Sequence, residues 1–374
     1  MPNIQDHAVA VGGMDLSARP FDALDALVLT QLVYLPMEGL LNGGGLATIA
    51  QAWDYLRENV DPAPFDRFQK KRWKLFETCA SLERYRSWEA ADYINDIDAE
   101  REMQFCACTY HLPGGLSIVA YRGTDLTVAG WKEDLNMSYM TVPSQHEAAE
   151  YVFRAARGTG DALILCGHSK GGNLAVYASA STDASTRERI RRVYTFDGPG
   201  VDENTLGSYG YALVSGRIES FIPESSVVGM LLNYHPVYTV VKAATLGILQ
   251  HDAMTWQVED GAFVTLAGVD ATGRITDETM HAWLAEMDID QRRLLVDTLY
   301  QVVDAAQAEL VTDLAEDWLD SAGKMLEAIR GLDGKVKRDV VRMLHSLFST
   351  GANEVVKLVI GELVRMRNNL ADGK

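Results

Sequence analysis

The sequence predicts an α/β fold, in which a mostly parallel sheet carries helices on both faces and a helical extension follows at the C-terminus. Two observations predict it. Between residues 21 and 270, short apolar runs typical of buried parallel strands alternate with helical patterns. After residue 276 the strand patterns end, and apolar residues recur at intervals of three and four. We therefore predict a loosely ordered segment over 1–20, a core domain over 21–270 and a helical extension over 277–374.

The first half of the core is predicted to begin with helices and to continue as a hairpin. FDALDALVLTQLVYL (21–35) places apolar side chains from Leu24 to Leu35 on one helical face. The Trp- and Arg-rich stretch that follows predicts more helix, to about residue 92. Side chains of alternating character then follow in QFCACTYHL and again in LSIVAYRG, and a Pro-Gly-Gly turn lies between the two segments. This pattern indicates two antiparallel strands.

The second half of the core is predicted to alternate strands with helices. Helices are predicted over 146–157 and over NLAVYASAS. The predicted strands are ALILC (162–166), RRVYTF (191–196), RIESFI (217–222) and MTWQVED (254–260).

Composition and charge exclude several classes of protein. The 374 residues are 47% hydrophobic, which is enough for a packed core. The net charge of −18 argues against nucleic acid or an anionic membrane surface as partner, because no positive field attracts a polyanion. The four cysteines have no metal-ligand spacing, and the alternating pair Cys106 and Cys108 is predicted to be buried in the core.

The sequence favours a cytoplasmic protein without a transmembrane segment. The N-terminus shows no basic region followed by an apolar stretch, so no signal peptide is predicted. The most apolar long stretch, residues 226–249, is interrupted by His235, Pro236 and Lys242 and does not fit a membrane span.

A predicted nucleophile lies at the turn between ALILC and the next helix. GHSKG (167–171) fits the pattern G-x-S-x-G, the nucleophile elbow of α/β-hydrolases. The glycines remove side chains that would collide in a tight strand-to-helix turn, and the turn exposes the Ser169 hydroxyl at a helix N-terminus. The strand before and the helix after are the context that this motif requires. We predict Ser169 as a catalytic nucleophile in an α/β-hydrolase fold.

A serine nucleophile needs donors for the oxyanion that forms during acyl transfer. The backbone N–H of Lys170, the residue after the nucleophile, is one predicted donor. The second is predicted in the loop after the strand LSIVAY, where Thr124 offers its N–H and its hydroxyl.

These motifs resemble the class three lipases. YRGTD…GWKEDLN (121–136), with Trp131 and Asp134, precedes GHSKGG (167–172) as the corresponding elements do in those lipases. Together with Gln-His-Asp at 250–252, the same motifs resemble more closely a bacterial family of lipase-like proteins of unassigned function. The resemblance covers roughly residues 20–260 and implies an α/β-hydrolase fold with a serine-hydrolase site, but no particular substrate.

The general base is predicted to be His251. In this fold the triad follows the chain order serine, acid, histidine, and His251 comes after the acid candidates on a loop. It also matches the position of the base in class three lipases. His168 is next to the nucleophile and is expected to point elsewhere, so His235 is the competing candidate.

The acid has two candidates. Class three lipases place an aspartate after the strand that RIESFI resembles, and this sequence lacks it, with Glu224 as the nearest carboxylate. Asp197 follows the preceding strand directly, although Asp-Gly-Pro-Gly is also a strong turn in which an aspartate serves only to cap backbone N–H groups. We favour Asp197, with Glu224 as the alternative.

The remaining polar residues near these motifs receive no chemical role. The Lys170 side chain is expected to be solvated on the first turn of its helix. Asp125, Glu133 and Asp134 do not provide a full ligand set, so no metal and no cofactor are predicted. The apolar stretch GMLLNY (229–234) is predicted either to line an acyl pocket or lid or to be a core helix.

The sequence therefore predicts a serine hydrolase of carboxylic esters, with a small-molecule ester or lipid as substrate. The alternative is a hydrolase-fold protein without activity, which binds partners through its helical tail. This alternative is considered because the aspartate that class three lipases place after the strand resembling RIESFI is absent here. In either case the helices over 277–374 offer a surface for assembly into a homo-oligomer.

Overall fold

The computed structural model describes residues 1–41, 44–98, 100–124, 140–226, 235–245 and 247–269, together with Glu133, Met137, Val228, Gly229 and Gly334. The strands in these residues are β1 (Leu46–Thr48), β2 (Glu89–Asp98), β3 (Met103–Leu112), β4 (Leu116–Tyr121), β5 (Ala162–His168), β6 (Ile190–Phe196), β7 (Ile218–Pro223), β8 (Tyr238–Val241), β9 (Val258–Glu259), β10 (Ala262–Phe263) and β11 (Thr265–Leu266). The predicted extension over 277–374 lies outside the described residues, apart from Gly334.

The described strands form one large sheet whose centre is parallel. Its order is β1-β2-β3-β4-β5-β6-β7-β8-β11, and β9 and β10 pair separately. The strands from β4 to β8 run parallel to one another, whereas the pairings of β1, β2 and β3 at one edge and of β11 at the other are antiparallel. β3 and β4 are the predicted hairpin, joined where Leu112 pairs with Leu116. The predicted α/β architecture is confirmed.

Helices pack on both faces of this sheet. They are α1 (Ile4–Val11), α2 (Ala23–Leu32), α3 (Glu38–Leu41), α4 (Ile49–Asn59), α5 (Arg67–Ser81), α6 (Pro143–Gly158), α7 (Lys170–Ser181), α8 (Ala184–Arg189), α9 (Glu203–Leu206) and α10 (Tyr209–Val214). In β5, Ile164 and Cys166 belong to the core that contains α2 and α5, whereas Leu163 and Leu165 belong to the core that contains α6 and α7. The side chains of β5 thus contribute alternately to two cores, because successive side chains of a strand point to opposite faces.

The N-terminal segment differs from its prediction. Residues 1–20, predicted to be loosely ordered, include α1, which begins at an Asn3 cap that accepts hydrogen bonds from the backbone N–H groups of Gln5 and Asp6. Ile4 and Ala8 on this helix are fully buried in the same core as α2. The apolar face of α1 is only two turns long, which is too short for its periodicity to stand out in the sequence.

Two further predictions of secondary structure are wrong. Helix does not continue to about residue 92, since α5 ends at Ser81 and β2 begins at Glu89. The segment 254–260 does not form a strand of the main sheet. Its first residues belong to a short 3₁₀ turn, Ala253–Thr255, which begins where the Asp252 carboxylate caps the N–H of Met254. Val258–Glu259 forms the short strand β9, which pairs with β10, and Trp256 forms an isolated bridge with Ala243.

No helix in the described part of the chain is both long enough and apolar enough to cross a membrane. The four cysteines are buried and unbridged. Cys106 and Cys108 lie in the same core, as predicted from their alternation.

Candidate active site

The turn between β5 and α7 has the geometry of a strained elbow. Ser169 has φ +58° and ψ −133°, a backbone conformation that L-residues rarely adopt and that persists where the surroundings enforce it. A Cβ on Gly167 would lie 1.9 Å from the carbonyl oxygen of Gly171, and one on Gly171 would lie 2.2 Å from that of Tyr121. The two glycines are therefore required, because strand, helix and the loop after β4 approach each other too closely for side chains.

The Ser169 hydroxyl is not used by the helix that follows it. Ser169 is the N-cap residue of α7, yet its side chain accepts no capping hydrogen bond. Other polar N-caps of described helices, such as Asp22, Asp66 and Asp183, do accept such bonds. Serine is favoured at N-caps because its oxygen accepts backbone N–H groups. A serine that occupies the position without this bond keeps its hydroxyl available for other chemistry.

His251 and Asp197 are brought together beside the elbow. Nδ1 of His251 lies 2.6 Å from Oδ2 of Asp197, and the imidazole is 27% exposed whereas the carboxylate is 1% exposed. Asp197 directly follows β6 with φ +47°, a left-handed conformation that aspartate tolerates better than most residues. Its Oδ1 accepts hydrogen bonds from the hydroxyl of Ser226 and the N–H of Gly229. The carboxylate is thus held in place from the side opposite the imidazole.

The neighbours of His251 fix the loop that carries it. Gln250 is fully buried, and its side chain accepts the N–H of Ser225 and donates to the carbonyl of Thr245. On the other side, Asp252 forms an ion pair with Lys71 at 2.7 Å. Sequence reasoning assigned no role to Gln250 or Asp252. The only available signal was the run Gln-His-Asp, in which polar residues flank the histidine.

His168 supports the same loop from the elbow. Its Nε2 lies 2.8 Å from the carbonyl oxygen of His251, so Nε2 carries the proton and donates it. The two rings have centroids 4.7 Å apart. Burial, together with the nearby charge of His251, lowers the pKa of His168 well below its ordinary value. His168 is therefore a neutral donor that ties the histidine loop to the residue before Ser169, consistent with the expectation that it is not the base.

No hydrogen bond joins Ser169 to His251 among the described contacts. The His168 contact nevertheless anchors the His251 backbone to the residue before Ser169. Catalytic hydrogen bonds are commonly long or misaligned in free enzymes and tighten when substrate binds.

The competing candidates have other partners. Glu224 is half-buried, and its Oε1 accepts a long hydrogen bond of 3.4 Å from the Gln250 side chain. Nδ1 of His235 lies 2.9 Å from the hydroxyl of Tyr211, and burial lowers the pKa of His235. In this arrangement Asp197 and not Glu224 contacts the imidazole of His251.

The prediction of a solvated Lys170 side chain is wrong. Its Nζ is fully buried and donates to Oε2 of Glu133 at 2.7 Å and to the carbonyl oxygen of Gln104 at 2.8 Å. Glu133 also accepts the backbone N–H groups of Gln104 and Ser144. The first turn of α7 faces β3 and not solvent, and Glu133 supplies the charge that makes burial of the ammonium group tolerable.

The elbow also has the predicted oxyanion loop as its neighbour. Thr124 is half-buried and follows β4 by three residues. A Cβ on Gly171 would lie 2.2 Å from the Tyr121 carbonyl oxygen and 3.0 Å from the Arg122 carbonyl carbon, so the end of β4 and the start of the loop after it pack on the first turn of α7. Trp131, Asp125 and Asp134 lie outside the described residues, as do residues 230–234 of the predicted pocket or lid segment.

One group among the described residues has the proximity that metal ligands need. His7, Asp22 and Asp25 offer ligand atoms within 4.8 Å of one another. Arg84 donates to both carboxylate oxygens of Asp25, however, and Arg19 is paired with Asp22. These carboxylates are already neutralised by guanidinium groups, so the donor set does not favour a cation.

The parallel sheet and the elbow define the class as a lipase-like α/β fold. A sequence profile of the Mbeg1-like family matches residues 79–301, which is more than half of the chain, and the chain belongs to this lipase-like family. A search of curated proteins finds no match. A solved structure described as M37 lipase is similar at 14% identity with a TM-score of 0.37, covering 57% of this chain and 70% of that one. At this TM-score the similarity supports no further conclusion.

Proposed function

We propose that this protein is a serine hydrolase that cleaves carboxylic esters, with a lipid or other acyl ester as substrate. The observation that carries the proposal is the 2.6 Å contact between His251 and the buried Asp197, beside a serine held in a strained elbow. This combination serves the chemistry of acyl transfer, which needs an activated nucleophile and an oriented base. Membership of a lipase-like family supports the same reaction class.

The proposed reaction uses each residue at a stated atom. Asp197 accepts the Nδ1–H of His251, which leaves Nε2 unprotonated and able to take the hydroxyl proton of Ser169. Oγ of Ser169 then bonds to the ester carbon, and the oxyanion is held by the backbone N–H of Lys170 and by Thr124. His251 returns the proton to the departing alcohol. Water attacks the resulting acyl-enzyme by the same route and releases the acid.

The proposal needs neither metal nor cofactor, since the serine, the imidazole and backbone donors supply every step. The substrate is expected to be a small molecule. The net charge of −18 disfavours nucleic acid as an alternative ligand.

The test is covalent labelling of the full chain with a fluorophosphonate, followed by turnover of nitrophenyl esters of increasing chain length. We expect stoichiometric labelling at Ser169 and complete loss of labelling and turnover in Ser169→Ala. Ser169→Gly should be equally inactive but at least as stable, because glycine relieves the positive φ. The chain-length series then reports the preferred acyl group.

Two results would contradict the proposal. Parental turnover in Ser169→Ala would show that another residue is the nucleophile. A well-folded wild-type chain that neither labels nor turns over any ester would favour the alternative of a hydrolase-fold protein that acts as a binding module.

A further inference from the structure

Tyr34 borders the same small space as the elbow serine. The hydroxyl oxygen of Tyr34 lies 2.5 Å, and Cβ of Ser169 2.9 Å, from the position that a Cβ would take on Gly123. The carbonyl oxygen of His168 lies 2.6 Å from that position. A glycine is required here because the phenol and the elbow meet over it. Sequence reasoning gave Tyr34 no role.

The location of this contact is informative. Gly123 lies in the loop after β4 and directly precedes Thr124, the predicted oxyanion donor. The Tyr34 hydroxyl and Ser169 therefore meet at the residue that directly precedes the proposed oxyanion donor. The His251–Asp197 pair comes from two other segments: His251 is the last residue of the 3₁₀ turn Gly247–His251, and Asp197 directly follows β6.

The ring of Tyr34 is held by a cation. The guanidinium carbon of Arg72 lies 3.5 Å from the centroid of the phenol ring, and Nε of Arg72 donates to Oε1 of Gln31 at 3.1 Å. Gln31 lies in the last turn of α2 and Tyr34 lies two residues after its end, so Arg72 from α5 contacts both and fixes the ring. A stacked cation also withdraws electron density from the ring, which favours donation of the phenol proton.

We propose that the Tyr34 hydroxyl is a third donor to the oxyanion, with Arg72 as its positioning residue. This inference rests on the proposed function. Tyrosine side chains are among the groups that form oxyanion holes, and a preorganised donor costs no reorganisation during the reaction. The hydroxyl would act beside the backbone N–H of Lys170 and the Thr124 donor. The Arg72 charge would add a favourable field at the developing anion.

The experiment is Tyr34→Phe in the full chain, which keeps the ring and its stacking on Arg72 and removes one oxygen. We expect kcat for a nitrophenyl ester to fall by about 10² to 10³, the loss typical of one oxyanion donor, with KM within about twofold. The affinity of a trifluoromethyl ketone, which adds to the serine and forms an oxyanion, should fall by the same factor as kcat/KM. A merely structural tyrosine would not produce this parallel loss.

Two further variants accompany Tyr34→Phe, one as a control and one as a second test. Tyr209→Phe removes a hydroxyl from a side chain on α10 that is 79% exposed, and it should match the wild type in every assay. Arg72→Met keeps the Tyr34 phenol but removes the cation stacked on its ring. We therefore expect kcat and ketone affinity to fall less than in Tyr34→Phe. This variant tests the inference by a second route if Tyr34→Phe folds poorly.

The possible outcomes distinguish a failure of this inference from a failure of the proposed serine-hydrolase function. A wild-type chain that labels at Ser169 while Tyr34→Phe retains full kcat and ketone affinity overturns the role of Tyr34 alone. A rise in KM without loss of kcat overturns it too, since it would make Tyr34 a wall of the substrate pocket. Absence of labelling in the wild type overturns the proposed function and this inference together.

Discussion

Two buried carboxylates flank the first turn of α7, and they have different kinds of partner. On the β6 side, Asp197 contacts the imidazole of His251, which is 27% exposed. On the β3 side, Glu133 contacts the ammonium group of Lys170, which is fully buried. Each carboxylate is 1% exposed and accepts further N–H or O–H groups. The carboxylates are thus similar in burial, and the partners are not.

The difference separates a pair that solvent and substrate can reach from a pair that is sealed in the core. A general base must be within reach of the substrate and of the proton that it takes, and the partly exposed imidazole of His251 meets this condition. The ammonium group of Lys170 is sealed against a carboxylate, and its contribution is to hold β3, α6 and the start of α7 in one arrangement. Burial of a carboxylate alone does not identify a catalytic acid. The exposure and chemistry of its partner do.

The largest effect is expected on the Asp197 side. Asp197→Asn should lower ester turnover by about 10⁴-fold, because an amide no longer holds the Nδ1–H tautomer of His251. The fold should survive, since asparagine tolerates the left-handed backbone of this position as well as aspartate does. Steady-state kinetics with a nitrophenyl ester measure the loss.

The matched control is Glu224→Gln, which neutralises the alternative acid and should leave turnover nearly unchanged. The reverse pattern would transfer the role to Glu224. Mild effects of both variants would indicate a serine–histidine pair without a carboxylate, and Asp197 would then have no catalytic role.

On the Lys170 side, the expected effect is on stability. Lys170→Met leaves the Glu133 carboxylate buried without its cation, and removal of one partner from a buried pair costs about 3–5 kcal/mol of the free energy of unfolding. Urea denaturation measures this change. The backbone N–H of residue 170 survives the substitution, so turnover at a temperature where the variant is folded should stay within about tenfold of the wild type.

Lys74→Met provides the control for this variant, because the Lys74–Glu77 pair has side chains that are 62% and 47% exposed. Its loss should leave the stability almost unchanged, as is usual for exposed pairs. A loss of turnover of about 10⁴-fold in folded Lys170→Met would contradict a purely structural role for the ammonium group.

The sequence was sufficient for features that depend on short-range pattern. The elbow around Ser169 follows from glycine spacing between a strand and a helix, and the β3–β4 hairpin follows from alternation around a Pro-Gly-Gly turn. Both are decided within a few residues. The main sheet and its two cores follow from the same kind of local signal, repeated along the chain.

The sequence was not sufficient where partners come from distant segments. The burial of Lys170 depends on Glu133 and Gln104, which lie 37 and 66 residues away. The segment 254–260 has alternating apolar residues, but the cap supplied by Asp252 turns its first residues into a 3₁₀ helix. Tyr34 meets the elbow only because α2, the loop after β4 and β5 come together. No local pattern records these contacts.

His168 combines features of the two pairs, and it gives the smallest predicted effect. Its side chain is buried, at 3% exposure, as that of Lys170 is, but it is an imidazole, as that of His251 is. Its Nδ1 has no hydrogen-bond partner and its Nε2 donates to the carbonyl of His251, so a second proton would be buried without an acceptor. Burial is the main cause of its lowered pKa, and the charge of His251 adds to it.

The sign of the resulting pH dependence follows from proton uptake. Below the ordinary histidine pKa of about 6.5, an unfolded chain binds a proton at residue 168 that the folded chain excludes. The free energy of unfolding should therefore fall as the pH drops from about 7 through this range, by up to about 1.4 kcal/mol per pH unit for this one group.

Urea denaturation at several pH values should show a shallower slope in His168→Gln, whose amide can still donate to the His251 carbonyl. Burial also lowers the pKa of His7 and His235, so part of the slope should persist in this variant. Parallel curves for variant and wild type would mean that protonation of His168 is compatible with the folded elbow, and that its burial does not exclude a second proton.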